Sequence, residues 1–374
     1  MPQVANIYRL GVKELWSLAR DPMMLVLIAY CFSFSIYIAA TAVPETLHKV
    51  PVAFVDEDGS PLSARIASAF YPPHFNPPGM ISLADIDAGM DAGDYTFVVD
   101  IPPNFQRDVL AGRSPTIQLN VDATCMSQAF SGSGYIQQIA LEEVNDFANR
   151  YRSSAEPLVA LELRARYNPN LEQSWFLSLT EIINNVTALA IILTGAALIR
   201  EREHGTIEHL LVMPVTPTEI MLSKVWSMGL VVLLAAAFGL FFVAQGVLRV
   251  PITGSAPLFL VGVALYLFAA TSLGIFMATV ARSLPQFGML AVLVLLPLDM
   301  LSGSLTPRES MPQFVQTVML AAPTTHFVAL SQSILFRGAG LAVVWPQFLT
   351  LIVIGTVLFA ISLKRFRKTI SMTA

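Results

Sequence analysis

Few residues of this sequence are arranged in a way that could support catalysis. It contains no glycine-rich phosphate loop of the nucleotidase type and no Ser-His-Asp, HExxH or CxxC pattern. The five histidines, at positions 48, 74, 204, 209 and 326, are scattered, whereas a metal site needs several converging ligands. The sequence therefore predicts no catalytic site, no metal site and no cofactor on this chain, which is not expected to be an enzyme.

The densest polar stretch is the segment 200–220, here called the charged insert, which lies between two long apolar runs. Charged side chains are costly inside lipid, so the insert must lie at one membrane face and the runs beside it must be membrane spans. If the insert is helical as far as Met213, Pro214 ends that helix and Thr216 caps a new one that Pro217 begins. Such a helix could transmit movement to the flanking spans; an ordinary turn with solvated charges is the alternative.

Composition indicates the class of protein. The chain has 374 residues, of which 55% are hydrophobic and 13% charged, and its mean hydropathy is +0.63. Soluble domains carry about a quarter charged residues, so we expect a polytopic membrane protein that contacts the lipid bilayer. The net charge of −4 gives no reason to expect nucleic-acid binding.

Six apolar runs are predicted to span the bilayer, which takes about 20 helical residues each. They lie near 23–43, 176–199, 221–247, 257–281, 286–303 and 346–363. Lys and Arg near the span ends concentrate on one side, and the positive-inside rule then places both termini in the cytoplasm. On that side we expect a basic tail at 364–374 and an amphipathic interfacial helix within residues 1–22, for which a cytoplasmic extension of the first span is the alternative.

The same topology exports residues 44–175, between the first and second spans. Short β-rich runs in this segment lie at 50–56, 95–101 and 116–121. Helix signals alternate with them, such as Ser60 as a cap before Pro61. The pattern predicts a mixed α/β domain.

The region 304–337, which follows the fifth span, is predicted to be re-entrant at the outer face. It contains two half-length apolar helices, near 314–320 and 324–336, that are separated by Pro323. Helices too short to cross a membrane dip in and return, packed against protein. We expect these two to cap the outer mouth of any cavity.

Four polar residues at membrane depth are candidates for a translocation pathway. Asp299 lies near the outer end of the fifth span, and an intramembrane carboxylate suggests function by default. An interfacial residue held by Ser302 or Ser304 is the alternative. Polar residues of the second span either line a cavity or join two helices by hydrogen bonds. The candidates there are Asn184, Asn185 and Thr187.

The charged insert and the outer region together resemble the ABC-2 type permeases, the membrane subunits of a large exporter family. The matching runs are Glu201–Lys224, Leu301–Pro307, Met311–Pro312, Ala322–His326 and Asn168–Asn170. The resemblance covers the whole chain and is strongest to the branch with a long exported domain. One departure is Ser178–Glu181, where many relatives carry a Pro-Gly pair at the start of the second span.

The resemblance implies a fold, a location and partners. The fold would be the ABC-2, type V exporter-like fold, a polytopic α-helical membrane protein with six transmembrane helices and a periplasmic α/β domain between helices 1 and 2. The location would be a bacterial inner membrane, with residues 44–175 in the periplasm. The partners would be a second permease copy or paralogue, a separate cytoplasmic ABC ATPase that binds ATP and magnesium, and a periplasmic membrane-fusion adaptor. The coupling region that meets the ATPase would contain Glu201, Glu203, Gly205, Thr206, Glu208, Leu211, Met213 and Pro214.

The expected function is that of the permease subunit of an ATP-driven exporter of drugs, lipids or other amphiphilic compounds. A membrane-anchored scaffold or receptor that binds envelope partners through its exported domain is the alternative, although six spans exceed what anchoring needs. An ion-coupled secondary transporter would show internal repeats and paired intramembrane charges, and the sequence shows neither.

Overall fold

The computed structural model describes residues 3–42, 50–72, 74–122, 126–151, 172–203, 215–306 and 308–371. The chain divides into two compact units. One, the helical unit, comprises Met1–Val43 and Ala165–Ala374, and the other, the α/β unit, comprises Pro44–Arg164.

The helical unit contains nine described helices. They are α1 (Val4–Ala19), α2 (Pro22–Thr41), α7 (Gln173–Glu203), α8 (Pro217–Val247), α9 (Ala256–Val280), α10 (Leu284–Leu301), α11 (Gln313–Met319), α12 (Pro323–Leu335) and α13 (Leu341–Ser371). Helix α2 contains a π-helical stretch at Tyr30–Ser35, and α8 ends in another at Gly239–Val247. Within the described residues, six helices are long and apolar enough to cross a membrane, or seven if the bent pair α11 and α12 forms a span.

Local sequence signals determine where these helices begin. Asp21 caps α2 by accepting a hydrogen bond from the Met24 amide, at 3.2 Å, and Pro22 takes the first helical position, where its missing N–H is not needed. Thr216 and Glu219 form a reciprocal capping box at the start of α8, as the Thr216 and Pro217 pattern predicts. The break at Pro323 bends α12 by 90° from α11.

Helix α7 lies at the centre of the helical unit. In its most apolar window 83% of the residues are buried, whereas the corresponding windows of α2 and α10 are 17% and 11% buried. Small residues allow its close packing: a Cβ on Gly274 of α9 would lie 2.7 Å from the Ile191 carbonyl oxygen of α7. The outer helices therefore leave apolar faces for lipid or another chain, while α7 contacts protein on nearly all sides.

The α/β unit is built on a four-stranded sheet with the order β2, β1, β3, β4. The strands are β1 (Val52–Asp56), β2 (Gly79–Met80), β3 (Phe97–Ile101) and β4 (Gln118–Val121). Strand β1 pairs in parallel with β2 and β3, and β4 is antiparallel to β3. The helices are α3 (Pro61–Ser68), α4 (Ile86–Asp91), α5 (Phe105–Leu110) and α6 (Met126–Tyr151).

Both faces of this sheet are covered because side chains alternate along each strand. Phe54 and Val99 point into a core formed with α3, α5 and α6. Val55 and Val98 point to the opposite face, where Ile86 of α4 packs on them. The unit thus has its own apolar core within the segment 44–175.

Candidate functional site at the charged end of the helical unit

The last four described residues of α7 each contact a different neighbouring helix or its cap. Arg200 pairs with Asp21, the cap of α2. Glu201 lies 2.7 Å from the Lys13 ammonium of α1 and 2.8 Å from that of Lys224 in α8. Arg202 donates to the carbonyls of Ala278 and Ala281 at the end of α9, at 3.3 and 2.6 Å. Glu203 accepts a hydrogen bond from the Leu284 amide at the start of α10, at 2.9 Å.

Helix geometry explains why these four residues contact different neighbours. Successive residues of an α-helix point about 100° apart, because a turn takes about 3.6 residues, so four consecutive residues cover every direction around the axis. Since α7 is central, each direction meets another helix. The charge signs match the helix ends that they meet: Arg202 lies at carbonyls that end a helix, and Glu203 lies at an amide that begins one.

A compact ion cluster is formed around Glu201 at this end of α7. The Lys224 ammonium lies 3.0 Å from a carboxylate oxygen of Glu14 and 2.8 Å from one of Glu201. The Lys224 side chain is 1% exposed, and those of Glu14 and Glu201 are 8% and 10% exposed. Lys13 completes the cluster at the surface. Two cations thus offset two anions, which buried charges require.

Burial and neighbouring charges shift the pKa values of the two α1 members of this cluster. Burial raises the pKa of Glu14, and the negative charge of Glu201 raises it further, against the opposing effect of Lys224. Burial alone would lower the pKa of Lys13, but its hydrogen bond to Glu201 and the two carboxylate charges outweigh that effect and raise it. Lys13 therefore remains charged, while the charge on Glu14 is costly.

Helix α1 packs on the first turns of α8. The backbone amide of Gln3 donates to Glu219, at 2.6 Å, and the Trp226 indole donates to the Ile7 carbonyl, at 3.1 Å. The Gly11 backbone lies directly against the Trp226 ring, since a Cβ there would lie 2.1 Å from a ring carbon. The buried positions of α1 are Gly11, Glu14 and Leu18. Helix α1 is predicted from its sequence to lie in the membrane interface. It also has a face that packs on protein.

The coupling residues predicted from the family resemblance divide into two groups. Glu201 and Glu203 belong to the contacts just described and lie among the last four described residues of α7. Gly205, Thr206, Glu208, Leu211, Met213 and Pro214 lie outside the described residues.

The predicted pathway residues lie at helix contacts. The Asn185 amide donates to the Cys31 carbonyl of α2, at 2.8 Å, and to Glu181, at 3.2 Å, and Ser35 also donates to Glu181. The Tyr266 hydroxyl of α9 donates to Thr187, at 2.8 Å. These bonds join α7 to α2 and α9. Asn184 is half-buried beside them.

Asp299 is half-buried near the end of α10. The hydroxyls of Ser302 and Ser304 donate to its backbone carbonyl, at 3.4 and 2.9 Å, so the two serines hold the chain at Asp299 and not its carboxylate. Among the residues that the structure describes, no group of three or more His, Cys, Asp or Glu is placed to hold a metal ion.

Sequence reasoning did not single out Glu14, Asp21 or Lys224 as site residues. A signal for the ion cluster existed, because Glu14 lies three residues after Gly11 and four before Leu18, on the stripe that helical spacing assigns to packing. Lys224 lies seven residues inside α8, beyond its polar first turn, where an unpaired charge would be costly. Opposite charges at two such positions suggest a pair.

Six described helices that are long and apolar enough to cross a membrane, with α7 buried among them, are typical of a multi-span helical membrane protein. The family model described as "ABC-2 family transporter protein" matches residues 22–364, and the chain belongs to this family. The prediction of the family is thereby confirmed.

Individual relatives agree with that class. The chain is 62% identical over 374 residues to "Inner membrane transport permease YhhJ" of Escherichia coli (strain K12), covering 100% of both chains. It is 25% identical over 369 residues to "Probable multidrug ABC transporter permease YbhR" of the same organism, covering 97% of this chain and 98% of the relative. It is 28% identical over 261 residues to "Probable multidrug ABC transporter permease YbhS", covering 68% of each.

Proposed function

We propose that this chain is the membrane-spanning permease subunit of an ATP-driven exporter that moves drugs, lipids or other amphiphilic compounds out of the cytoplasm or the inner leaflet. Family membership and the permease relatives support the transport role. The cargo class is supported by the name of the YbhR relative, a probable multidrug permease. A separate ABC ATPase supplies the energy and binds the ATP and magnesium.

One observation carries the mechanism: the first four residues of the charged insert, 200–203, are the last described residues of α7 and contact α1, α2, α8, α9 and α10. A rigid displacement of residues 204–214 by an ATPase would act on the end of α7. Because Arg200 to Glu203 contact a different neighbour in each direction, the same displacement would reach five helices together. The insert thus receives the movement of the ATPase, and Arg200 to Glu203 pass it to the neighbouring helices.

The assembly proposed around this chain follows from the family. Two permease copies, or this chain and a paralogue, pair through the apolar faces that the outer helices expose. Both termini and the charged end face the cytoplasm of a bacterium, which matches the concentration of Lys and Arg on that side. The α/β unit then lies in the periplasm, where a membrane-fusion adaptor is a candidate partner.

The test is ATP hydrolysis by the permease co-expressed with its partner ATPase and reconstituted in proteoliposomes. We expect Glu203→Ala and Gly205→Pro to insert in the membrane and to retain the ATPase, but to lose most of the hydrolysis that depends on the permease. Glu57→Ala, which removes an exposed carboxylate from the α/β unit, is the matched control and should behave as the wild type.

Two results would contradict the proposal. Unchanged hydrolysis in both Glu203→Ala and Gly205→Pro would exclude the charged insert and the end of α7 as the coupling element. Failure of any ATPase to co-purify with the wild-type chain from native membranes would favour the scaffold or receptor function instead.

A further inference from the structure

A polar cavity of about 470 Å³ lies beside the bent pair α11 and α12. Its walls come from the loop after α10, from α12 and from the first turns of α13. They include two arginines and four groups that can donate hydrogen bonds: Arg308, Arg337, Ser304, Thr325, Gln332 and Gln347. Among the described side chains that line it, none is an Asp or a Glu. The cavity is therefore suited to negative charge.

Some polar groups of this cavity lack a partner among the described residues, whereas the Ser304 hydroxyl donates to the Asp299 carbonyl and the Gln332 amide donates to the Gly303 carbonyl. Neither Arg308 nor Arg337 forms a salt bridge with another residue in the described part of the chain. The Nε atom of Arg308 and the hydroxyl of Thr325 are shielded from solvent and have no hydrogen-bond partner there. Thr325 is 1% exposed. Buried donors without an acceptor are costly, so their presence around a cavity points to a ligand that supplies the acceptor.

A second cavity, of about 250 Å³, adjoins the first. The two share Phe176, Gln332 and Arg337 in their linings. The second is apolar: it adds Trp175 and Phe336, and Phe336 stacks on Phe176 with ring centroids 5.5 Å apart. The two neighbouring cavities therefore place a cationic lining beside an aromatic one, and their volumes are those of small-molecule sites.

We propose that these two neighbouring cavities bind an amphiphile with an anionic head group. The head lies between Arg308 and Arg337, where planar guanidinium groups match carboxylate or phosphate oxygens, and Thr325 donates to it. The apolar part packs on Trp175, Phe176 and Phe336. Binding as such is independent of transport, and only the use of the site for outgoing cargo rests on the proposed function.

The experiment measures quenching of tryptophan fluorescence in the detergent-purified full chain by brominated lipids. Trp175 lines the apolar half, so the quenching that disappears in Trp175→Phe reports this site. We expect brominated phosphatidylglycerol, which is anionic, to quench this component at about tenfold lower mole fraction than brominated phosphatidylcholine, which is zwitterionic. A hydrogen-bonded contact to a charged group is sufficient for a preference of that size.

The variants separate charge from shape. Arg308→Gln with Arg337→Gln is expected to abolish the preference for phosphatidylglycerol, whereas Arg249→Gln, which removes an exposed arginine that lines neither cavity, should retain it. Ala329→Leu keeps both arginines but fills the polar cavity, and it should also lose the Trp175 component. Gel filtration and thermal unfolding of each variant show that it is folded, and the Ala329→Leu result stands if the double arginine variant does not fold.

Three outcomes would overturn the proposal. Equal quenching by the two lipids would exclude recognition of the anionic head. A preference that survives in the double arginine variant, or in Ala329→Leu if the double variant does not fold, would place the lipid elsewhere. Reversal by inorganic phosphate at concentrations comparable to the lipid would show a free-anion site in place of an amphiphile site. None of these results depends on an ATPase, so failure here is distinguishable from failure of the transport proposal.

Discussion

Replacing Lys224 with methionine is expected to detach α1 from α8. Of the two described cations in the ion cluster, Lys224 is the buried one, with a side chain that is 1% exposed, and Lys13 lies at the surface. Methionine fills a similar volume, so packing is retained and the change isolates the charge. Without the ammonium, Glu14 and Glu201 face each other with only the half-exposed Lys13 to offset them.

The size of the effect follows from the distances. Two carboxylate oxygens that lie 3.0 and 2.8 Å from one ammonium nitrogen are no more than about 6 Å apart. At an effective dielectric constant of about 20, the repulsion between two unit charges at that distance is about 3 kcal/mol. Removing one partner of a buried ion pair costs about 3 to 5 kcal/mol in other proteins, which agrees. Protonation of Glu14 would relieve the repulsion, so the loss should be smaller at low pH.

The fluorescence of Trp226 reports this change, because its indole donates to the Ile7 carbonyl of α1 and stacks on Tyr8 at 6.0 Å. Undocking of α1 exposes the indole, so in a variant that retains only this tryptophan we expect a red shift at lower temperature in Lys224→Met than in the parent. Glu14→Gln is the matched control: it leaves Lys224 paired with Glu201, and because the pKa of Glu14 is raised, removing its charge should cost less than removing that of Lys224.

The double variant completes the test. Lys224→Met with Glu14→Gln leaves the Lys13 and Glu201 pair balanced and should recover most of the lost stability, in the manner of a double-mutant cycle. The reasoning is refuted if Glu14→Gln destabilises α1 docking as much as Lys224→Met does, or if the double variant is worse than Lys224→Met alone.

Two further predictions concern pH and packing. The pKa of Glu14 is raised above its ordinary value of 4.5, so its contribution to stability is fully present below pH 4.5 and is lost as the pH rises through the higher folded pKa. Thermal unfolding should therefore show that the stability of Glu14→Gln increases relative to the wild type between pH 4.5 and pH 8. A constant difference would contradict this. Gly274→Leu should cost about 1 to 3 kcal/mol by separating α9 from α7, since its Cβ would lie 2.7 Å from a backbone oxygen. Gly288→Leu is the control and should be neutral, because nothing lies within 4 Å of a Cβ there. Equal unfolding temperatures for the two variants would contradict the close approach of the two helices.

Features that depend on neighbours in the sequence could be predicted from it. The cap at Thr216, the turn at Asp21 and Pro22, and the bend at Pro323 all rest on interactions within about three residues. The strands β1 and β3 lie within the runs 50–56 and 95–101, because enrichment in apolar and β-branched residues is also a local signal.

The docking face of α1 shows where such signals stop. Amphipathic spacing identifies an apolar stripe but does not distinguish lipid from protein as its partner. The stripe predicted to be apolar includes Val4 and Tyr8, which are 79% and 64% exposed. Gly11 of the same stripe is buried and admits the Trp226 ring of α8, and the charged Glu14 is buried with it. A small residue and a charged one score poorly as a packing face, although together they are what this contact requires.

The charged end of α7 is a harder case, because its meaning depends on where the helix lies. Four consecutive charges of alternating sign would ordinarily suggest a solvated turn, and the partners of Glu201 lie 188 residues away in Lys13 and on another helix in Lys224. Once α7 is known to be central, the same four residues must point at neighbours on every side, and each needs an opposite charge or a free backbone group there. Arg202 and Glu203 bind backbone carbonyls and a backbone amide, which no side-chain substitution can replace. A change at either residue therefore cannot be compensated by a single substitution in the neighbouring helix.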